Sequence, residues 1–514
     1  MNQKSNTLQA LTKLMGNHSL VLIEGETWRT QRKRFNKGFA PAHLHTLIPL
    51  IVSKTRIFLD RLTQHAMKGD VFSFKDLASD LTTDVITQVA IDKDYQAQSV
   101  AEGQGAKSRF GILTAVTTMS SLVEKVGRGF DIGAYIYPQR WLREWLFDKI
   151  YSRALYAQIV SKLPSAENTA DQAESATSSA RSIVSLALSG VEPTAAVLDS
   201  TVSQVKTFLF AGQDTTSTLI QWMAYHLSKS YPSSPLFSEH YRQVRERLCA
   251  EHKDVFGSQD PAALLDLLEG NDVNIDDLLG AKLPYTTAFV KETLRLHPPA
   301  GSARLVPMAP HDPDYPNDKA LEPYFLDLPA WTHSDTGEHH EAQRVRADGA
   351  RIYVCHFLVQ RNPAIWGADV LEFNPARFLD RSGKGTVNEL EQALTTTNDS
   401  VKHDRKTSPH PYHISTLPAG SFRPFERGPR TCIGSNLAYL EAKIVLGIIA
   451  QGFEWQKVGL DGTKPKAGVI QYAGTGKEDV TIGEKRGWEV WSINNVTAVP
   501  VDGMKMKARL RLKA

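Results

Sequence analysis

Only three of the 514 residues are cysteine, Cys249, Cys355 and Cys432, and no two of them are close neighbours in the chain. That spacing excludes the close pairs of zinc knuckles and redox dithiols and gives no disulfide framework, so the thiols belong to a reducing compartment. Long apolar runs are missing too. Nothing approaches the ~20 residues of a membrane span, and the opening MNQKSNTLQALTKLMGN lacks the apolar centre of a signal peptide. As written, the chain reads as soluble and cytosolic. Charge of one sign is also lacking: 59 Lys plus Arg against 56 Asp plus Glu leave a net of +3, too little to mark a nucleic-acid binder. No dinucleotide loop is present, because Gly474-Thr-Gly476 has neither a third glycine nor a strand-turn-helix frame. No internal repeat is visible.

What is present is enough apolar sequence, 41% of the residues, to bury a large core. From Thr46 to Asp94 apolar residues recur every three or four positions, the helical period. Further helical runs cover Ala195 to Ser228, the charged segment HYRQVRERLCAEH, and LPYTTAFVKETLRLHPP, which the proline pair ends. RIYVCHFLV, VIQYAG, WEVWSIN and MKMKARLRL have the composition of strands. The reading is a mainly α fold with small β-sheets, a single domain over residues 1–514. Polar stretches at about 165–182, 312–348 and 382–415 form its surface loops.

Chemistry concentrates in Phe425-Glu-Arg-Gly428-Pro-Arg430-Thr-Cys432-Ile-Gly434, followed by an apolar helix whose Leu437, Leu440, Ile444 and Ile448 share one face. Cys432 stands where that helix begins. Free backbone N–H groups and the positive end of the helix dipole favour a thiolate there, the form a soft metal ligand takes. Gly428 and Gly434 allow tight turns against a flat ligand, Phe425 shields the sulfur, and Arg430 adds a cation.

This loop resembles that of the cytochrome P-450 family, Phe-x-x-Gly-x-Arg-x-Cys-x-Gly, at every fixed position. The resemblance implies the P-450 fold, haem b as cofactor, and Cys432 as the axial thiolate and metal ligand, which pushes electron density to the iron and favours O–O cleavage. Phe425 and Arg430 become cofactor-binding residues. It extends to Glu292 and Arg295 in KETLRL, one helix face apart by three residues, and to Arg377 in Phe373-Asn-Pro375-Ala-Arg377-Phe378. These three imply a buried structural charge network. FLFAGQDTTSTLI resembles the family's central helix, with Gly212 and its polar neighbours expected to bend or widen the helix, Asp214 and Thr215 as the catalytic proton-delivery pair, and Thr216 in support. Trp28 and Arg32 in ETWRTQRKRF, with Arg304 in HPPAGSAR, are implied to meet the haem propionates.

The implied function is a haem-thiolate monooxygenase that inserts one atom of dioxygen into a small lipophilic substrate. Electrons come from NADPH through a separate NADPH-cytochrome P-450 reductase, docked by the basic run Arg29, Arg32, Lys33, Arg34 and Lys37. AGQDTT and HPPAGSAR resemble fungal secondary-metabolite oxidases. Family members carry a longer segment before the Trp-x-x-x-Arg helix, so an N-terminal truncation is expected, and with it the loss of the anchor that places microsomal members on the cytosolic face of the endoplasmic reticulum membrane. Two other readings stay open: a truncated haem-binding protein without monooxygenase activity, and a reductase-independent haem-thiolate isomerase or dehydratase.

Overall fold

A computed structural model describes residues 11–101, 138–163, 181–234, 236–270, 282–306, 323–328, 330–332, 337–379, 417–459, 490, 492–495 and 497–511. Its long helices are α1 (Gly25–Asn36), α2 (Ile48–Lys68), α3 (Phe74–Ile91), α4 (Pro138–Val160), α5 (Ala195–Ser228), α6 (Glu239–Phe256), α7 (Pro261–Glu269), α8 (Pro284–Leu296) and α9 (Ser435–Gly452). Local chemistry sets their ends. The Thr194 hydroxyl accepts from the N–H of Val197 to start α5, and Ser73 does the same for Asp76 in α3. Gly69, at φ 64°, ends α2 in a left-handed cap, its N–H donating to His65 O.

Helix α5 is the spine. Helices α3, α4, α8 and α9 all pack on it. Its residues from Ser200 to Phe210 and from Thr216 to Ser228 are buried all round, as a helix apolar on every side must be. Gly212 does not break it: the helix runs on unbroken, and a Cβ at Gly212 would stand 2.7 Å from the Ile86 side chain of α3. The glycine lets two helices close up. A packing requirement thus stands beside the local chemistry as a reason for glycine here.

Besides the short antiparallel pair Trp331–Thr332 and His339–His340, the strands among the described residues are β1 (Phe72–Ser73), β2 (Ser302–Leu305), β3 (Phe325–Leu328), β4 (Gln343–Arg346), β5 (Arg351–Val354), β6 (Phe453–Lys457), β7 (Ser492–Asn495), β8 (Thr497–Pro500) and β9 (Lys505–Leu510). They form small antiparallel sheets, the largest ordered β1-β9-β6. In it Met506 and Ala508 turn inward with Phe453 and Trp455, all fully buried, the alternation of a half-covered sheet.

The expected strand RIYVCHFLV stops at Val354, and His356–Val359 turns into helix. VIQYAG and the 382–415 stretch lie outside the described residues, as does 165–180. Ser182 belongs to no loop: it is buried and caps the helix Ile183–Leu188. The 312–348 stretch is not wholly loop either, since β3 and β4 pair antiparallel within it.

Candidate active site around Cys432

The cysteine loop closes on itself. The Cys432 N–H donates to Phe425 O at 2.9 Å, and Gly428–Arg430 makes a 3-10 turn. Gly428 has φ 76°, which favours glycine. Gly434, at φ −89°, is in a conformation any residue adopts, so the turn expected there is not what selects glycine. Phe425 is half-buried and packs on Tyr439 at 5.1 Å between centroids. The sulfur of Cys432 is accessible yet ringed by protein atoms, whose desolvation pushes its thiol pKa up, while the N–H groups of Gly434 and Ser435 and the charge of Arg32 pull it down. The predicted pull from the helix start is therefore present but outweighed in the chain alone. A metal cation, when bound, would favour the thiolate further.

Three of the predicted cofactor residues converge on this loop. Arg32 Nη1 donates to Thr431 O at 2.8 Å. Arg430 lies over the Trp28 ring at 4.2 Å and donates to Ile23 O at 3.0 Å. Arg304, on β2, instead holds Glu426, Nη2 to carboxylate at 3.2 Å. The basic run is dispersed: Arg34 turns inward to Thr201 Oγ1 at 2.9 Å, Arg29 pairs with Glu26, and Lys33 and Lys37 remain exposed.

Beneath the loop, Arg295 grips Glu292 with two hydrogen bonds, 2.7 and 2.8 Å, and both side chains are wholly buried. Arg377 stands 3.6 Å from Glu292, an ion pair too long for a hydrogen bond, and places its closer contact, 2.6 Å, on Asp369. Arg295 also donates to the carbonyls of Gln360, Val370 and Glu372. Gln360, which sequence reasoning missed, is the link to the cysteine loop. Its amide donates to Leu294 O and Arg295 O, and its carbonyl accepts from Arg423 N at 2.8 Å. Only the folded chain brings residues so distant in sequence together.

On α5 the stretch Ala211–Thr215 is half-buried between two buried runs. It carries the predicted relay pair, but the structure does not join the two side chains. Thr215 donates to Ala211 O at 2.7 Å, and the Asp214 carboxylate accepts a hydrogen bond from the Thr497 hydroxyl on β8. Consecutive helical residues diverge by about 100°, so separate partners are what the backbone dictates. Thr497 too was invisible in sequence, because no local pattern couples it to α5.

Among the described residues no group of three or more His, Cys, Asp or Glu could hold a bare metal ion. Haem, whose porphyrin supplies ligands of its own, would suit Cys432 as the protein's ligand. The accessible sulfur at the head of α9, the interruption in the burial of α5, on which α9 packs, and guanidinium groups suited to carboxylates fit haem. Fold and site together thus define a helical haem-thiolate protein. The comparisons are specific: the chain matches cytochrome P450 over residues 2–308 and 333–470, and the chain belongs to that family, whose members are oxygen-incorporating oxidoreductases. It is 28% identical over 96% of its length to cytochrome P450 monooxygenase acrF of Aspergillus aculeatus, covering 85% of that protein. It is 25% identical over 86% of its length to cytochrome P450 monooxygenase polC of Polytolypa hystricis, covering 66% of it. It is also 25% identical over 87% to the 7-deoxyloganic acid hydroxylase of Catharanthus roseus, covering 70% of it. Among solved structures the P450 CYP102L1 matches with TM-score 0.64 and 18% identity over 99% of this chain and 88% of the other, which bears out the fold expected.

Proposed function

We propose that this chain, acting as a single domain, inserts one atom of dioxygen into a small lipophilic substrate with Cys432 as the axial ligand of haem. The observation that carries the reading is the accessible Cys432 sulfur at the head of a buried helix, beside a central helix whose long buried run is interrupted at Ala211–Thr215. When bound, haem supplies the iron at which dioxygen is reduced and split. Arg32, Arg304 and the stacked Trp28–Arg430 pair offer donors to its propionates, with Phe425 keeping water from the sulfur. Thr215, by rotating off Ala211 O, can pass a proton inward, and the half-buried Asp214 can draw one from solvent. Glu292, Arg295 and Arg377 hold the loop without touching the chemistry.

Electrons would come from NADPH through a reductase, with Arg29, Lys33 and Lys37 the exposed part of the basic docking run. Among the described residues no helix is long and apolar enough to cross a membrane, and family membership supports work at the cytosolic face of the endoplasmic reticulum. The test is the optical spectrum of the haem-loaded chain, reduced and exposed to carbon monoxide. A strongly red-shifted Soret band that Cys432→Ala abolishes is the expected result. A band of histidine type in the wild-type chain, or one unchanged in Cys432→Ala, overturns the assignment.

A further inference from the structure

Glu426 is the one residue of the cysteine loop that takes a left-handed backbone without being glycine, φ 61°, a conformation that costs an ordinary side chain energy. Something must hold it there. Its carboxylate is hydrogen-bonded by Arg423 and by Arg304 Nη2 at 3.2 Å, and faces His356 Nε2 at 3.5 Å. Burial opposes its ionisation, but hydrogen bonds from His356, Arg423 and Ser302, with the Arg423 charge, hold the carboxyl well below the usual range. Only 10% of the side chain is exposed. These partners come from different places: Arg423 from the loop, Ser302 and Arg304 from β2, His356 from the turn after β5, the partner strand of β2.

We infer that Glu426 is a positioning residue that clasps the cysteine loop to the β2–β5 strand pair and presets Arg304 for an anionic group of the cofactor. This rests on the reading of Cys432 as ligand and adds to it the device that fixes the loop's upper edge. Charge favours it. Two guanidinium groups face one carboxylate, so these three groups together keep one positive charge with which to receive an anion. Arg304 can turn toward that anion without stranding Glu426, whose remaining partners are Arg423, His356 and Ser302. The loop is then gripped from both sides, by Gln360 from the Glu292 network and through Glu426 by the β2–β5 strand pair.

The experiment compares Glu426→Gln, which keeps the shape and removes the charge, with Glu426→Gly, which also relieves the left-handed backbone. The first measurement is the rate of haem transfer to excess apomyoglobin, with the reduced carbon-monoxide spectrum followed for conversion away from the thiolate type. Both variants are expected to lose haem roughly tenfold faster, the scale of one partly buried charge-assisted contact, and to lose the thiolate band sooner on warming. The second uses the cofactor-free chain: amide hydrogen exchange across 417–434 and 351–357 should speed up in both variants, while α8 stays as protected as before.

Rates and exchange unchanged within about twofold overturn the clasp, as does a Glu426→Gly chain that keeps haem longer than wild type, since backbone relief would then outweigh the carboxylate. A wild-type chain without a thiolate band, in which exchange still responds, removes Cys432 as ligand and leaves the clasp standing.

Discussion

Helices α8 and α9 each bury one glutamate, and the two have opposite chemistry. Glu292 is 0% exposed and meets the Arg295 guanidinium in two hydrogen bonds, with Asn374 N donating at 2.8 Å. Glu441 is 3% exposed, its Oε1 has no hydrogen-bond partner, and burial pushes its carboxyl up to about 8. The same residue type at the same depth is thus clasped by a guanidinium in one helix and left as an acid that burial keeps protonated in the other. Depth does not decide ionisation; the groups that meet the carboxylate do. Glu426 lies on the ionised side of this contrast, held by two arginines, while the Asp214 carboxylate is met by a hydroxyl.

The contrast breaks hardest at Arg295. Arg295→Leu strands a buried carboxylate, and stability should fall by about 3–5 kcal/mol, read as the urea midpoint and as soluble yield. Because Gln360 takes its bonds from the end of α8 and passes one to Arg423, the cysteine loop should loosen with it. Pairing Arg295→Leu with Glu292→Gln removes both charges and should recover part of the loss. A single variant within ~1 kcal/mol of wild type would put this network in the class of exposed ion pairs.

At Glu441 the contrast is sharpened by pH. The folded carboxyl titrates at about 8 against an ordinary 4.5. Between those values the unfolded chain ionises while the folded chain stays protonated, so stability is lost as pH rises, by up to about 1.4 kcal/mol per pH unit, and the loss levels off above 8. The buried His226, His252 and His297 work the other way. Burial lowers all three, so the unfolded chain takes up protons first as pH falls and stability is lost in acid. Urea midpoints across pH 5 to 9 should show both flanks in the wild type and only the acid flank in Glu441→Gln. An alkaline flank that persists in the variant would assign it to another group.

The sequence made one side of this comparison visible. Glu-x-x-Arg at helical spacing marks its own pairing, the cysteine loop marks the start of α9, and the apolar run bounded by Thr194 and Lys229 gave α5 as it stands. Glu441 was passed over because a glutamate among apolar residues on a helix reads as a solvent-facing position until the neighbouring helices are in place. Arg377 was assigned to Glu292, but Asp369, eight residues before it, takes the closer contact. Gln360, Asn374, Glu426 and Thr497 act through partners tens or hundreds of residues away, and tertiary packing alone creates those contacts.

The smallest expected effect tests the weakest tether. Asp214 keeps its carboxylate half-buried with the neutral Thr497 hydroxyl as one partner, and β8, wholly buried against α5, fixes that hydroxyl in place. Thr497→Val preserves the shape and removes the donor. It should cost about 1 kcal/mol, the net worth of one hydrogen bond to a charged group that water can still reach, while Thr497→Ser stays close to wild type. The carbon-monoxide spectrum should not change in either, because the hydroxyl lies on the side of α5 and not in the cysteine loop. Loss of the thiolate band in Thr497→Val would mean that β8 positions the cofactor as a whole; an unchanged urea midpoint would mean that solvent holds Asp214 as well as Thr497 does. The expected middle result makes Asp214 an acid steered by a dipole, able to leave it at little cost, where Glu292 is locked by charge.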